Sequence, residues 1–216
     1  PPPAASPRTG CESTAQLVLN PAIRFAFFGY CGHMMELYAM WTWIGVFLEE
    51  RFGEQGLDPA LAPLITFLAF FLGGVACPAA GWLADRFGRT IVTSACMLVS
   101  GSTAMWIGFL PPESSGVICF AALLWGVTIV PDSAQFSAAV AELAPLQSRG
   151  VILTAYTGIG FLITIPFIFL VGMLKDVVGW GWSFFFLGLG PVFFGAPSML
   201  YLRQLPDAKK IANGQM

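Results

Sequence analysis

One histidine and one glutamate stand three residues apart in an otherwise apolar stretch, His33-Met34-Met35-Glu36. His33 is the only histidine of the chain. Imidazole exchanges protons in the physiological range, which suits it to proton uptake or to hydrogen bonding a solute. Residues at i and i+3 share a face of a helix, so His33 and Glu36 would present their polar groups to the same side. Asp132 and Gln135 repeat that spacing and follow Pro131. A proline there interrupts the helical hydrogen bonds and frees a carbonyl for a ligand or water. These four residues are the candidates for binding a small-molecule substrate, a coupling proton, or both. Tyr30, Met40 and Trp41 flank the first pair and could wall the same cavity. The plainer reading of His33 and Glu36 is a satisfied polar pair that fixes helix packing, and of Asp132 a hydrated carboxylate at the membrane edge.

Transmembrane helices are the elements that would position these groups. Of 216 residues, 56% are hydrophobic and only 10% are charged, and the mean hydropathy is +0.75. Soluble domains carry roughly a quarter charged residues to keep their surface in water. This chain has too few for that, and a lipid-facing surface needs none. Crossing a hydrocarbon core of roughly 30 Å takes about 20 apolar residues in a helix. Six stretches qualify: 23–48, 60–84, 90–110, 116–140, 150–174 and 180–202. Backbone groups in lipid must be satisfied within the segment, so these runs are expected to be helices. The predicted fold class is all-α, an integral membrane six-helix bundle. His33 and Glu36 would then lie roughly 15–20 Å into the bilayer by helical rise. Ionisable groups at that depth are costly unless they face a partner or an enclosed cavity. Prolines at 63, 78, 131, 166, 191 and 197 fall in or near the spans and are expected to kink them.

Charge placement predicts the orientation. Arg8, Arg24, Arg86, Arg89, Arg149, Arg203, Lys209 and Lys210 fall on one side, and only Arg51 and Lys175 on the other. The second side also carries Glu49, Glu50, Glu54 and Asp58. By the positive-inside rule both termini are cytoplasmic, as an even number of spans also requires. The net charge of −2 offers no basic patch for a nucleic-acid partner. Five widely spaced cysteines form no Cys-x-x-Cys pair, so no metal or disulfide role is expected of them. Residues 1–20 open on prolines rather than Met and read as a cytoplasmic linker of a fragment or processed chain. Residues 204–216 read as a cytoplasmic tail.

Between the second and third spans runs Gly81-Trp82-Leu83-Ala84-Asp85-Arg86-Phe87-Gly88-Arg89-Thr90. Gly81 permits close helix contact and Gly88 a tight turn. Asp85 can sit near a helix N-terminus, where the macrodipole favours an anion. Arg86 and Arg89 can anchor the loop at the cytoplasmic face or pair with carboxylates. After the fourth span, Glu142 and Arg149-Gly150 bracket a second short loop. The first loop resembles the signature loop of the major facilitator superfamily, G-x-L-x-D-R-x-G-R-(R/K), departing from it at Thr90. The second is similar to that family's E-x6-R-G loop. The resemblance covers residues 21–203. It implies one six-helix half of a twelve-span transporter, built as a 3+3 inverted repeat. The signature loop it implies is a gating latch made of Gly81, Asp85, Arg86, Gly88 and Arg89, joined by Glu142 and Arg149 in a cytoplasmic charge network. The run 29–41 is similar to the seventh span of some bacterial members, which points to the C-terminal half.

The expected function is secondary active transport of a small solute by alternating access, with proton coupling as the refinement. The expected partners are the lipid bilayer, the substrate and the other six-helix half, covalent or as a second subunit. No cofactor, catalytic residue or metal is expected. Two other classes are compatible with single features. One is a non-transporting structural or sensor membrane protein. The other is an intramembrane metalloenzyme using His33, Glu36 and Asp132. Signatures of nitrate/nitrite porters and of the antiporter glycine series are absent from the spans.

Overall fold

The computed structural model describes Ala15 and residues 18–214. The linker expected at 1–20, with Arg8 and Cys11, lies outside the described residues except for Ala15 and 18–20, as do the last two residues of the tail. No strand occurs among the described residues.

Helix α1 (Pro21–Gly53) starts where Asn20 accepts hydrogen bonds from the N–H groups of Ala22 and Ile23 at 3.0 and 3.2 Å. Pro21 takes a first-turn position at which a missing N–H costs nothing. Then follow α2 (Leu61–Phe87), α3 (Arg89–Ile107), α4 (Ser115–Ile129), α5 (Asp132–Leu143) and α6 (Arg149–Leu189). A π-helical turn (Gly190–Gly195), α7 (Ala196–Gln204) and a 3-10 segment (Pro206–Gly214) complete the described chain.

The chain folds as the all-α membrane bundle that its composition predicts. Four helical stretches are long and apolar enough to cross a membrane: Leu61–Phe87, Arg89–Ile107, Pro112–Leu143 and Arg149–Gln204. The last contains two of the expected spans, because the backbone turns at Gly179 (φ 78°, ψ 174°), a conformation glycine adopts without strain. Gly88 (φ 99°) makes the equally abrupt turn between α2 and α3. Helix α1 has the length to cross but is not among the four. It packs against α2, α4, α5, α6 and α7. A helix surrounded by protein has no need of the uniform apolarity that lipid demands, and α1 can carry His33, Glu36 and its tyrosines and tryptophans.

The prolines act unequally. Helix α2 continues through Pro78 and α6 through Pro166, whereas the fourth span divides at Pro131 into α4 and α5. Helices α2 and α4 touch backbone to backbone, since a Cβ on Gly126 would overlap the carbonyl of Ala69. Such small-residue contacts replace the hydrophobic drive that lipid does not supply. Trp125, Tyr156, Phe47, Phe136 and Phe184 fill the centre.

Charged groups collect at the two ends. At one end Arg51 reaches the carbonyl of Gly108 at 3.3 Å, the Trp180 indole N–H donates to Glu50 at 2.5 Å, and Lys175 lies 3.5 Å from Glu50. The hydrogen bond to Asp176 holds the Lys175 ammonium above the usual lysine range, and Glu50 adds to it. The other end holds the two sequence loops.

Candidate functional site

The polar residues of α1 and α5 are paired across helices. Ring nitrogen Nδ1 of His33 lies 3.1 Å from Oδ1 of Asp132, and both side chains are buried. His33 Nε2 lies 2.7 Å from the hydroxyl of Ser133, the first residue after Asp132. Because α5 begins at Asp132, the break at Pro131 aims two consecutive side chains at one imidazole. The position also sets the carboxylate at a helix N-terminus, where the macrodipole favours negative charge. The His33–Asp132 approach has ion-pair range but poor hydrogen-bond alignment. Nδ1 and both carboxyl oxygens lack an aligned hydrogen-bond partner among the described residues. Such groups are rare in folded proteins and cost about 1–3 kcal/mol each until something bonds them. Tyr30 packs beside this pair, its ring 6.2 Å from that of His33 and stacked on Tyr156 at 4.1 Å.

Glu36 belongs to a different contact. Its Oε1 accepts from the indole N–H of Trp125 at 2.7 Å and its Oε2 from the hydroxyl of Ser100 at 2.9 Å. Glu36 therefore ties α1 to α3 and α4 with both oxygens occupied. No group of three potential metal ligands occurs among the described residues, and Glu36 bonds Trp125 and Ser100, not His33 or Asp132. Trp41 is separate again. It is exposed, packed edge-on to Tyr38 and against Phe70, on a face shared with Phe161. Met40 is fully buried.

Gln135 lies one helical turn beyond Asp132 and joins the loop end. Its Oε1 accepts from Nη1 of Arg89 at 2.6 Å. Arg89 also grips Glu142 with two nitrogens, at 3.2 and 2.9 Å, and lies 3.4 Å from Asp85. Glu142 in turn accepts the backbone N–H of Ala212 at 2.9 Å, so the 3-10 segment rests on the same carboxylate. Asp85 occupies the last turn of α2 and is well exposed. Arg86 lies over the rings of Trp82 and Phe87, as a basic anchor at an interface would. Arg149 starts α6 and makes no ion pair among the described residues, so the second loop contributes Glu142 to this cluster and not its arginine.

The structure thus brings together His33 with Asp132, and Asp85, Gln135 and Glu142 around Arg89. It separates Glu36, Trp41 and Arg149 from both groups. Trp125, Ser100 and Ser133 were not among the sequence candidates. Ser133 could have been found from its place beside Asp132. Trp125 and Ser100 carry no local signal, since only the packing of three helices makes them partners of Glu36. A surface depression of about 620 Å³ has an apolar lining that includes Met35, Leu170, Phe186 and Phe194 and lies away from both clusters.

Comparison with known proteins adds independent support. A probable galactarate/D-glucarate transporter of Escherichia coli (strain K12) is 30% identical over 147 residues, covering 65% of this chain and 32% of that protein. A multidrug transporter of Candida glabrata is 28% identical over 171 residues, covering 78% of this chain and 27% of its own. The chain spans about a third or less of the length of these curated relatives. The family model described as Major Facilitator Superfamily matches residues 17–215. With that match and a helical bundle whose signature loop is clamped by its own Arg89, the chain belongs to the major facilitator superfamily.

Proposed function

We propose that this chain is the C-terminal six-helix half of a secondary transporter that moves a small solute by alternating access, with protons as the coupling ion. Both termini are cytoplasmic in this reading. The first three and last three spans form inverted repeats, and a second half, covalent or separate, completes the central cavity. The observation that carries it is the buried His33–Asp132 contact at the break in the fourth span, with three polar atoms lacking aligned partners. A proton taken up by the imidazole makes the contact an ion pair and tightens the hold between the two helices, and its departure loosens that hold. With Nδ1–H directed at Asp132, a neutral ring accepts from the Ser133 hydroxyl through Nε2; a doubly protonated ring donates to it instead. Ser133 is partly exposed and stands between the buried pair and the open face of α5. Arg89 with Asp85, Gln135 and Glu142 is the cytoplasmic latch of the state described, and the exposed face of Tyr38, Trp41, Phe70 and Phe161 is a wall of the solute path.

The test is uptake by the full-length protein in proteoliposomes, with and without an imposed proton gradient. The two relatives are named for chemically unlike cargoes, galactarate/D-glucarate and multiple drugs, so the panel includes both kinds. Uptake that a proton gradient accelerates supports the reading. Absence of uptake for every solute, or uptake indifferent to the gradient, removes transport or proton coupling respectively.

Glu36 serves here as an anchor of α1. Glu36→Gln retains an acceptor for Trp125, and Ser100 can reverse its bond to receive the amide, so near-normal thermal stability in detergent is expected. Glu36→Leu leaves a buried indole N–H unpaired and is expected to destabilise the protein by about 1–3 kcal/mol. Equal melting temperatures for Glu36→Leu and the parent protein would show that the anchor is unimportant.

A further inference from the structure

We infer that Gln135 is the positioning residue that transmits the protonation state of the His33–Asp132 contact to the Arg89 latch. The inference rests on the proton-coupled reading above and assigns a role to a residue of that site. Helix α5 is a rod of 12 residues, joined to α4 through Val130 and Pro131, which keep helical φ and ψ. Pro131 precedes it, and the chain leaves it at Ala144 in an extended conformation (ψ 138°). Asp132, Gln135, Phe136, Ala139, Val140 and Leu143 form its buried face. A rod held along one face has no internal slack, so a shift of its first residue relative to α1 is felt one turn later.

Gln135 stands at that point. Its contact with Arg89, at 2.6 Å, is shorter than either approach from Glu142 and shorter than that from Asp85. It is also the most shielded: Gln135 is 5% exposed, whereas the Asp85 side chain is 68% exposed and its attraction is weakened by water. The amide end of Gln135 sits against the signature loop itself. A Cβ added at Gly81 would be 3.7 Å from Nε2, ordinary contact distance. Gln135 thus holds the last arginine of the loop with Oε1, while its Nε2 lies near the place a side chain at the first glycine would occupy.

The surroundings of Asp132 leave few other recipients of a charge change. The titratable groups facing it are His33 and Glu36 from α1, Cys77 from α2, Cys96 from α3 and Tyr156 from α6, while Tyr30 faces the imidazole. Glu36 is already bonded to Trp125 and Ser100. Cys77 and Cys96 stand on α2 and α3, which themselves run into the signature loop, but neither thiol bonds Arg89, as Gln135 of α5 does.

Amide hydrogen exchange of the full-length protein in nanodiscs reads the latch directly. Peptides covering 84–90 and 143–149 are followed across pH and corrected for intrinsic exchange. The parent protein is expected to change protection there by about fivefold or more, a typical coupling between linked sites. Gln135→Leu is expected to keep protection near the closed value at every pH, because Arg89 still holds Glu142. Gln135→Glu restores an acceptor for Arg89 and is expected to restore the pH response. Peptide 50–58 at the opposite end should exchange normally in each variant, marking an intact fold. A full pH response in Gln135→Leu overturns the assignment while leaving proton coupling intact. Protection lost at all pH values makes Gln135 merely a strut of the latch and overturns it too. No pH response in the parent protein removes the assignment together with the reading beneath it.

Discussion

Full-length protein carrying Asp132→Asn is expected to lose proton-driven uptake by about a hundredfold or more while still exchanging solute at equilibrium. The substitution is nearly isosteric, so α5 keeps its start and its Phe136 keeps its packing on Tyr30 and His33. What it removes is the charge facing His33 at 3.1 Å and the ability to bind and release a proton. Losing a coupling of about 2.7 kcal/mol, within the usual range between linked sites, corresponds to a factor of a hundred. Exchange without a gradient needs only the alternation of closed states, and the substituted amide leaves the Arg89 cluster in place. The measurement is uptake driven by an acid-outside gradient beside counterflow at equal pH, both in proteoliposomes. His33→Gln is the partner variant. Residues acting as one unit are non-additive, so the double variant should lose little more than either single one. Gradient-driven uptake surviving in Asp132→Asn, or fully additive losses in the double variant, would detach this contact from coupling.

The sequence made the bundle legible for a plain physical reason: lipid imposes a length and an apolarity that a soluble fold does not. The runs that became α2, α3, the broken fourth span and the pair divided at Gly179 could be read directly. A break at Pro131 was one of several that the prolines suggested, and every proline lacks the N–H; that the span divides there while α2 and α6 run on through Pro78 and Pro166 was not readable. Nor was partner choice. The i, i+3 spacing of His33 and Glu36 places both on α1, but a helix surface has width. His33 meets α5 while Glu36, a turn away, meets α3 and α4. Likewise Asp132 and Gln135 share a face of α5, yet one turns to an imidazole and the other to a guanidinium. Periodicity gives the face of a helix and says nothing of which neighbour stands opposite. Arg149 illustrates the same limit. Its spacing from Glu142 suggests a shared network, but Glu142 closes α5 while Arg149 opens α6, and Arg89 reaches the carboxylate from the start of the adjoining α3. The tail is the fullest case. No feature of 206–214 as a string announces that Ile211 and Ala212 are buried or that Ala212 bonds Glu142.

Arg89→Ala is expected to produce the second large effect, a shift of the closed cytoplasmic latch toward its open state by roughly 30- to 150-fold, about 2–3 kcal/mol. Arg89 makes two charge-assisted bonds to Glu142 and one to Gln135, and its side chain is 14% exposed. Bonds to charged groups are worth about 1.5–3 kcal/mol each when shielded. Glu142 is 31% exposed, so its share is discounted for water, and Asp85 contributes least. Truncation also leaves the buried Gln135 carbonyl without its donor, a cost borne only by the closed state. Arg89→Lys separates charge from shape: an ammonium keeps the attraction but cannot grip Glu142 and Gln135 together. It should give an intermediate shift. Distances between spin labels at the cytoplasmic ends of the two halves of the full-length protein report the populations. Because Glu142 also holds the N–H of Ala212, the 3-10 segment should exchange its amides faster in Arg89→Ala as the carboxylate regains freedom. A closed population unchanged in Arg89→Ala would mean that the signature loop of this chain is held by packing alone, and that the clamp around Arg89 is a consequence of closure and not its cause.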